Sequence, residues 1–221
     1  MSAVESSGAQ GSFREDLGIW IRAAAQPPAE VRPALFLDRD GVIVEDPGHL
    51  SRVADLELIP GAADLIASAN HRGVPVVEIT NQAGIGRGYY GWKEFLKVEA
   101  ALASELAARG AAIDAVLACP YHPDGVPTWV HPAHPARKPR PGMLLAAERL
   151  LNLDLKHSWI VGDKLDDLLA GYNAGLYGGL HVLTGRGPAH RQLVLDWCPK
   201  SFEVRFADSI REAATLVGVL G

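Results

Sequence analysis

The sequence is poor in cysteine, has no long apolar run and carries no excess of basic charge. Cys119 and Cys198 are its two cysteines in 221 residues. Two thiols cannot build a disulfide framework, so a reducing cytoplasm is the expected location. A membrane-spanning helix needs about 18 or more largely uninterrupted apolar residues. The alanine-rich stretch from Ala100 to Ala118 comes nearest, and Glu105, Arg109 and Asp114 break it. Glu5, Glu15 and Asp16 stand where a secretory signal would need a basic start and an apolar core, so none is expected. With 21 basic and 26 acidic residues the net charge is −5, which disfavours a nucleic-acid partner. It leaves room for a small anionic ligand held by a few focused cations. No G-x-S-x-G occurs, so a serine-hydrolase elbow is absent.

What is present is a globular composition, 48% hydrophobic and 21% charged. The length suits one domain with an appendage. Residues 1–33 read as the appendage: a disordered tail over 1–11, then an accessory helix. Ser12 and Glu15 fit a capping box, and Phe13, Leu17, Trp20, Ile21 and Ala24 recur at helical spacing. Gln26-Pro27-Pro28 would end that helix. Residues 34–221 read as the functional domain. Apolar runs of strand length cover Ala34–Leu37, Val74–Ile79, Ala115–Ala118, Trp159–Val161 and Leu180–Leu183. Helical patterns lie between them over 61–71, 91–109, 141–151 and 164–174, with a last one over 207–217. Unbroken apolar strands alternating with helices predict an α/β fold, a doubly wound, mainly parallel sheet with helices on both faces. Sites in such sheets lie beyond the carboxyl ends of the strands.

Polar clusters stand at those ends. The first run closes in Asp38-Arg39-Asp40-Gly41, the second in Thr80-Asn81-Gln82 and the fourth in Gly162-Asp163-Lys164, while Arg137-Lys138 precedes a helix. Asp38 and Asp40 are two apart and share a side of an extended segment. Two adjacent carboxylates need compensation, and a hard cation provides it; Mg2+ held by Asp38, Asp40 and Asp163 fits best. Asp38 can then act as nucleophile and Asp40 as general acid and base. Thr80, Asn81 and Lys138 can donate hydrogen bonds to a phosphoryl group. A calcium loop is poorly supported, because aligning Asp38, Asp40 and Gly41 to an EF-hand puts Phe36 and Pro47 where carboxylates are required.

In order, Phe36 to Ile43, Thr80-Asn81, Lys138 and Gly162 to Asp167 resemble the four motifs of the haloacid dehalogenase superfamily, specifically its aspartate-nucleophile phosphatases. The resemblance implies a magnesium-dependent phosphomonoesterase working through Asp38. No insertion is long enough for a large cap, so an open site is expected. Gly84-Ile85-Gly86-Arg87 and Arg137-Lys138-Pro139 are similar to the heptose bisphosphate phosphatase branch, which implies a small phosphorylated sugar as partner. Histidinol-phosphate and polynucleotide 3′-phosphatases are the alternatives of the same fold, and a catalytically silent sugar-phosphate binding protein is the alternative of another class. Arg137, Arg87, Lys164 and Asn81 are the expected substrate contacts. The stretch Gly86 to Gly91 matches G-x-G-x-x-G, but it follows the second strand rather than the first, against a dinucleotide site.

Cys119, His122, His131 and His134 have zinc-like spacing. The resembling phosphatases often carry zinc in this loop, but here Tyr121 and Ala136 occupy two ligand positions and His134 replaces a cysteine. A metal-free loop stiffened by its prolines is preferred over Zn2+, because each proline fixes φ. A monomer is expected.

Overall fold

The computed structural model describes residues 11–23 and 29–220. Its strands are β1 (Ser12–Arg14), β2 (Ile19–Ala23), β3 (Leu35–Leu37), β4 (Val76–Asn81), β5 (Ala115–Cys119), β6 (Trp159–Gly162), β7 (Gly178–His181) and β8 (Glu203–Phe206). Its helices are α1 (Ala62–His71), α2 (Ala83–Gly86), α3 (Trp92–Ala107), α4 (Gly142–Leu151), α5 (Leu165–Ala174), α6 (Gly187–Trp197) and α7 (Ala213–Leu216). The sheet order is β1-β2-β5-β4-β3-β6-β7-β8. All pairings from β5 to β8 are parallel; β1 with β2 and β2 with β5 are antiparallel. From β3 the chain winds outward through β4 to β5, then returns to β6 on the opposite flank. The strand order reverses at β3, which places a crevice at its carboxyl end.

Both faces of the sheet are covered, as the unbroken apolar strands require. Leu35 and Leu37 pack on one face with Val76, Val161 and residues of α1 and α3. Phe36 points to the other with Val77, Ile79, Ile160 and residues of α4 and α5. Among the described residues no helix is long and apolar enough to cross a membrane.

The accessory helix is replaced by a hairpin. β1 and β2 pair as Phe13 with Trp20, and β2 continues onto β5, Ile21 opposite Leu117. Residues 11–23 are therefore part of the main sheet rather than an appendage to it. Ile19, Trp20 and Ile21 are consecutive and all buried, the isoleucines in one cluster and Trp20 in another. Only alternation across a strand buries three neighbours in this way. Each such side chain contributes about 1.5–3 kcal/mol, more together than one helix cap at about 1 kcal/mol. The expected disorder over 1–10, Ala24 and the Gln26-Pro27-Pro28 stop lie outside the described residues.

The C-terminal third also departs from expectation. In place of one helix over 207–217, a 3-10 turn at Ile210–Glu212 leads into the short α7. Neither α6 nor β8 is foreseen. α6 buries only Gly187 and Val194, and every residue of β8 is half-buried, so neither carries a clear apolar period. β7 begins at Gly178, two residues before the apolar run, where it pairs with Glu203 of β8; a Cβ there would meet Glu203 O at 2.5 Å, so this close pairing needs a glycine.

Candidate active site

The crevice beyond β3, β4 and β6 has a volume of about 210 Å³ and is lined by Asp38, Asp40, Asn81, Arg137, Lys138 and Lys164, among others. Asp38 follows β3 directly. Its Oδ1 accepts from the Arg39 backbone N–H at 2.8 Å and faces Lys138 Nζ at 2.8 Å. Among the described residues none donates a hydrogen bond to Oδ2. Burial alone would raise the Asp38 pKa; the charges of Lys138 and Lys164 outweigh it and hold the carboxyl below its ordinary value. A buried ionised carboxylate with one oxygen free is competent as a nucleophile.

Lys138 is the centre of the charge balance. It is buried, and its ammonium makes three contacts: Asp38, Asp167 Oδ1 at 2.6 Å and the Ile79 carbonyl at 2.9 Å. Burial would lower its pKa, but Asp167 and Asp38 push it above the usual lysine value. Asn81 fixes the lysine from behind. Its Oδ1 accepts from Lys138 N and its Nδ2 donates to Lys138 O, both at 3.1 Å. Asn81, expected to touch substrate, thus also pins the Lys138 segment to the end of β4.

Asp40 turns back on its neighbour. Arg39 Nε and Nη2 donate to its carboxylate at 3.0–3.2 Å, and Gln82 Nε2 reaches Oδ2 at 3.3 Å. Burial and, after the opposing charge of Arg39, the negative charge of Asp38 leave the Asp40 pKa raised. Such a carboxyl is suited to proton donation. Gln82 also donates to Thr80 Oγ1 at 2.8 Å, and Tyr90 donates to Gln82 Oε1. Thr80 is almost fully buried beneath the crevice rather than on its wall.

Asp38, Asp163 and Asp167 bring ligand oxygens within 4.8 Å of one another, the sole such group of three or more among the described residues. Asp163 Oδ2 accepts from Arg186 N at 2.7 Å. Its Oδ1 is buried without a hydrogen bond, with Lys164 Nζ 3.5 Å away. Burial, Asp167 and Asp38 push the Asp163 pKa up to about 7. An orphaned carboxylate oxygen among three acids fits a hard divalent cation. Gly41 (φ +90) and Gly185 (φ +56) make room behind it: a Cβ on either would come within 2.5 Å of Asp163 Oδ2. Asp167 has no place among the expected ligands. Its position four residues after Asp163, on the first turn of α5, is the signal that could have found it.

One expected substrate contact is not met by the geometry. Arg87 does not line the crevice; its Nη2 lies 3.1 Å from His122 Nε2 and 3.8 Å from Asp124. The short α2 turns it away, packed so closely that a Cβ on Gly86 would strike the Pro120 carbonyl at 2.1 Å. The zinc candidates do not converge. Cys119 Sγ is 3.9 Å from His134 Nδ1, and the rings of His131 and His134 are 5.1 Å apart, but His122 is held by Arg87. The Nδ1 atoms of His122, His131 and His134 each accept a backbone N–H. Burial pushes the Cys119 thiol up to about 12.

A nucleophile-competent acid at the tip of the central strand, a second acid two residues on and a lysine bridging to a third define an aspartate-based phosphotransferase or phosphatase. A family profile described as HAD-hydrolase-like matches residues 135–213, the span holding Lys138, Asp163 and Asp167. A D-glycero-beta-D-manno-heptose-1,7-bisphosphate 7-phosphatase of Mesorhizobium japonicum is 48% identical over 163 residues, 73% of this chain and 75% of the relative. A crystal structure from Mesorhizobium loti described as a HAD-like phosphatase superposes with TM-score 0.81 at 40% identity, covering 94% of this chain and 95% of the other. The D,D-heptose 1,7-bisphosphate phosphatase of B. bronchiseptica, solved with magnesium and phosphate, gives 0.73 at 29% identity, covering 83% and 97%. The chain belongs to the HAD-like phosphatases, in the heptose-1,7-bisphosphate 7-phosphatase family.

Proposed function

We propose that the protein is a magnesium-dependent phosphomonoesterase that removes the 7-phosphate from D-glycero-D-manno-heptose 1,7-bisphosphate through a phosphoryl group carried on Asp38. The observation that supports this most is the Lys138 bridge, which keeps Asp38 ionised while Asp40 beside it is pushed toward its protonated form. Asp38 attacks phosphorus as Asp40 gives its proton to the departing sugar oxygen. Asp40 then takes a proton from the water that attacks the phosphorylated Asp38, restoring both acids. Asp38 and Asp163, with Asp167 beside them and the Asp40 backbone carbonyl, would hold Mg2+. That ion would neutralise phosphoryl charge. Both cysteines are free, which supports a cytoplasmic location.

Three substrates test the reading: heptose bisphosphate, histidinol phosphate and a 3′-phosphorylated oligonucleotide, compared by phosphate release at equal concentration. Preference for either of the last two would overturn the heptose assignment. Arg137 lines the crevice, and among the described residues its guanidinium donates to the Tyr121 carbonyl alone, which leaves donors for the second phosphate. Arg137→Ala is expected to lower kcat/KM for heptose bisphosphate by about 10–150-fold, equivalent to a charge-assisted contact of roughly 1.5–3 kcal/mol. The loss on p-nitrophenyl phosphate should be within about threefold, since that ester has no second handle. Equal losses would place Arg137 at the transferred phosphoryl group.

Chelation should abolish activity and Mg2+ restore it. Asp163→Ala should raise the Mg2+ concentration for half-activity at least about tenfold, a ligand's worth of affinity. Calorimetric titration with Mg2+ should weaken in parallel. Full activity in excess chelator would remove magnesium from the mechanism.

A further inference from the structure

We propose that Glu99, acting through Arg39, is a positioning residue for the Asp40 carboxylate; this rests on the reading of Asp40 as the acid that protonates the leaving oxygen. α3 turns Phe95, Val98, Glu99, Leu102 and Leu106 toward the sheet. Glu99 is the one charged residue in that stripe and is 5% exposed. A buried carboxylate is costly unless paired. Its partner is the equally buried Arg39, whose Nη1 donates to Glu99 Oε1 at 2.9 Å. The other edge of the same guanidinium grips Asp40 through Nε and Nη2. Phe95 lies 5.4 Å below the guanidinium carbon.

The planar guanidinium is thus clamped at both edges, and its aim at Asp40 is set from α3. The nearby Glu78 cannot serve as the anchor: both its oxygens are buried without a hydrogen bond. Stability does not explain the arrangement, because a buried ion pair is often no better than apolar residues of the same volume. Orientation does explain it. A fork of charge-assisted hydrogen bonds fixes a carboxylate in one rotamer, which a lone hydrogen bond does not. Proton transfer to a departing oxygen requires that fixed placement.

The consequence is a dependence on the leaving group. A sugar alkoxide needs a proton as it departs, whereas p-nitrophenolate does not, and kcat/KM reports only events up to the first irreversible step. Glu99→Gln and Arg39→Lys are expected to lower kcat/KM for heptose bisphosphate at least about tenfold, in the range of general acid catalysis. The loss of kcat/KM on p-nitrophenyl phosphate should stay within about threefold, whereas kcat falls on both esters, because Asp40 also takes the proton from water when phosphorylated Asp38 is hydrolysed. The double variant Arg39→Met, Glu99→Leu removes both charges from the core. Asp40 loses its cation in this variant, so a thermal melt is read beside the kinetics; the folded variant should keep the same selective deficit, separating positioning from folding. Equal losses of kcat/KM on the two esters in folded variants, or no loss on either, would overturn the proposal. Asp40→Asn is run alongside. If it has the selective deficit and the Glu99 and Arg39 variants do not, only the positioning role falls. If Asp40→Asn itself lacks the deficit, the acid role of Asp40 falls, and the positioning role with it.

Discussion

Asp38→Asn is expected to lower turnover by about 10^4-fold or more, since an amide nitrogen cannot replace the attacking carboxylate oxygen. The fold should survive the change. The asparagine Oδ1 can still accept from the Arg39 N–H and from Lys138, which also keeps Asp167 and the Ile79 carbonyl. Asp38 is held ionised by Lys138 and Lys164, so losing its charge forfeits that attraction while relieving its repulsion of Asp163 and Asp167, and the melting temperature without metal should fall only slightly. Phosphate release and a thermal melt on the same preparation check both halves. Activity within about tenfold of wild type would remove covalent catalysis by Asp38 from the mechanism.

The second large effect falls on stability. Lys138→Met leaves Asp38 and Asp167 buried without their shared cation. Breaking a buried pair in this way costs about 3–5 kcal/mol. For a domain of this size each kcal/mol moves the melting temperature by roughly 2–4 °C, so a fall of about 6–20 °C is expected. The sign of the pH dependence follows. Removing the lysine raises the folded-state pKa values of both acids, and a raised value contributes stability at low pH that is lost as the pH rises. The deficit relative to wild type should therefore shrink on going from pH 8 to pH 5. Added Mg2+ should recover part of it at pH 8 by supplying positive charge to the same carboxylates. A deficit independent of both pH and Mg2+ would mean that lost packing, not lost charge balance, is responsible. Activity should be nearly absent throughout.

The reacting acids were readable in the sequence because polar residues at the ends of apolar strands are conspicuous. Asp38, Asp40, Lys138 and Asp163 come from two strand ends and one loop; the first three line the crevice and Asp163 lies against Asp38. Helices with a strong apolar stripe, such as α3 and α4, fell within about two residues of expectation, where boundaries are usually set by caps rather than pattern. What supports the acids was hidden. Glu99 is one acid among several on its helix, and only the tertiary path of Arg39 gives it meaning. Gln82 and Tyr90 meet because a Cβ on Gly84 would lie 2.1 Å from the Tyr90 ring, a packing fact with no local signature. The hairpin was missed for another reason. Phe13, Leu17, Trp20 and Ile21 satisfy a helical period while Ile19-Trp20-Ile21 satisfies a buried strand, and only the available surface of β5 decides between them.

That hairpin has a bearing on how the molecule behaves in company. Without β2, β5 would be the last strand on its side of the sheet, presenting unpaired N–H and C=O groups along Ala115–Cys119, a run with no charge or proline to discourage pairing. Such an edge is a template for strand addition by a second chain. The outermost strand is instead β1, three residues long and carrying Arg14, which forms an exposed ion pair with Asp16. A chain beginning at residue 34 would keep every residue assigned to chemistry here and still lose its guard against self-association.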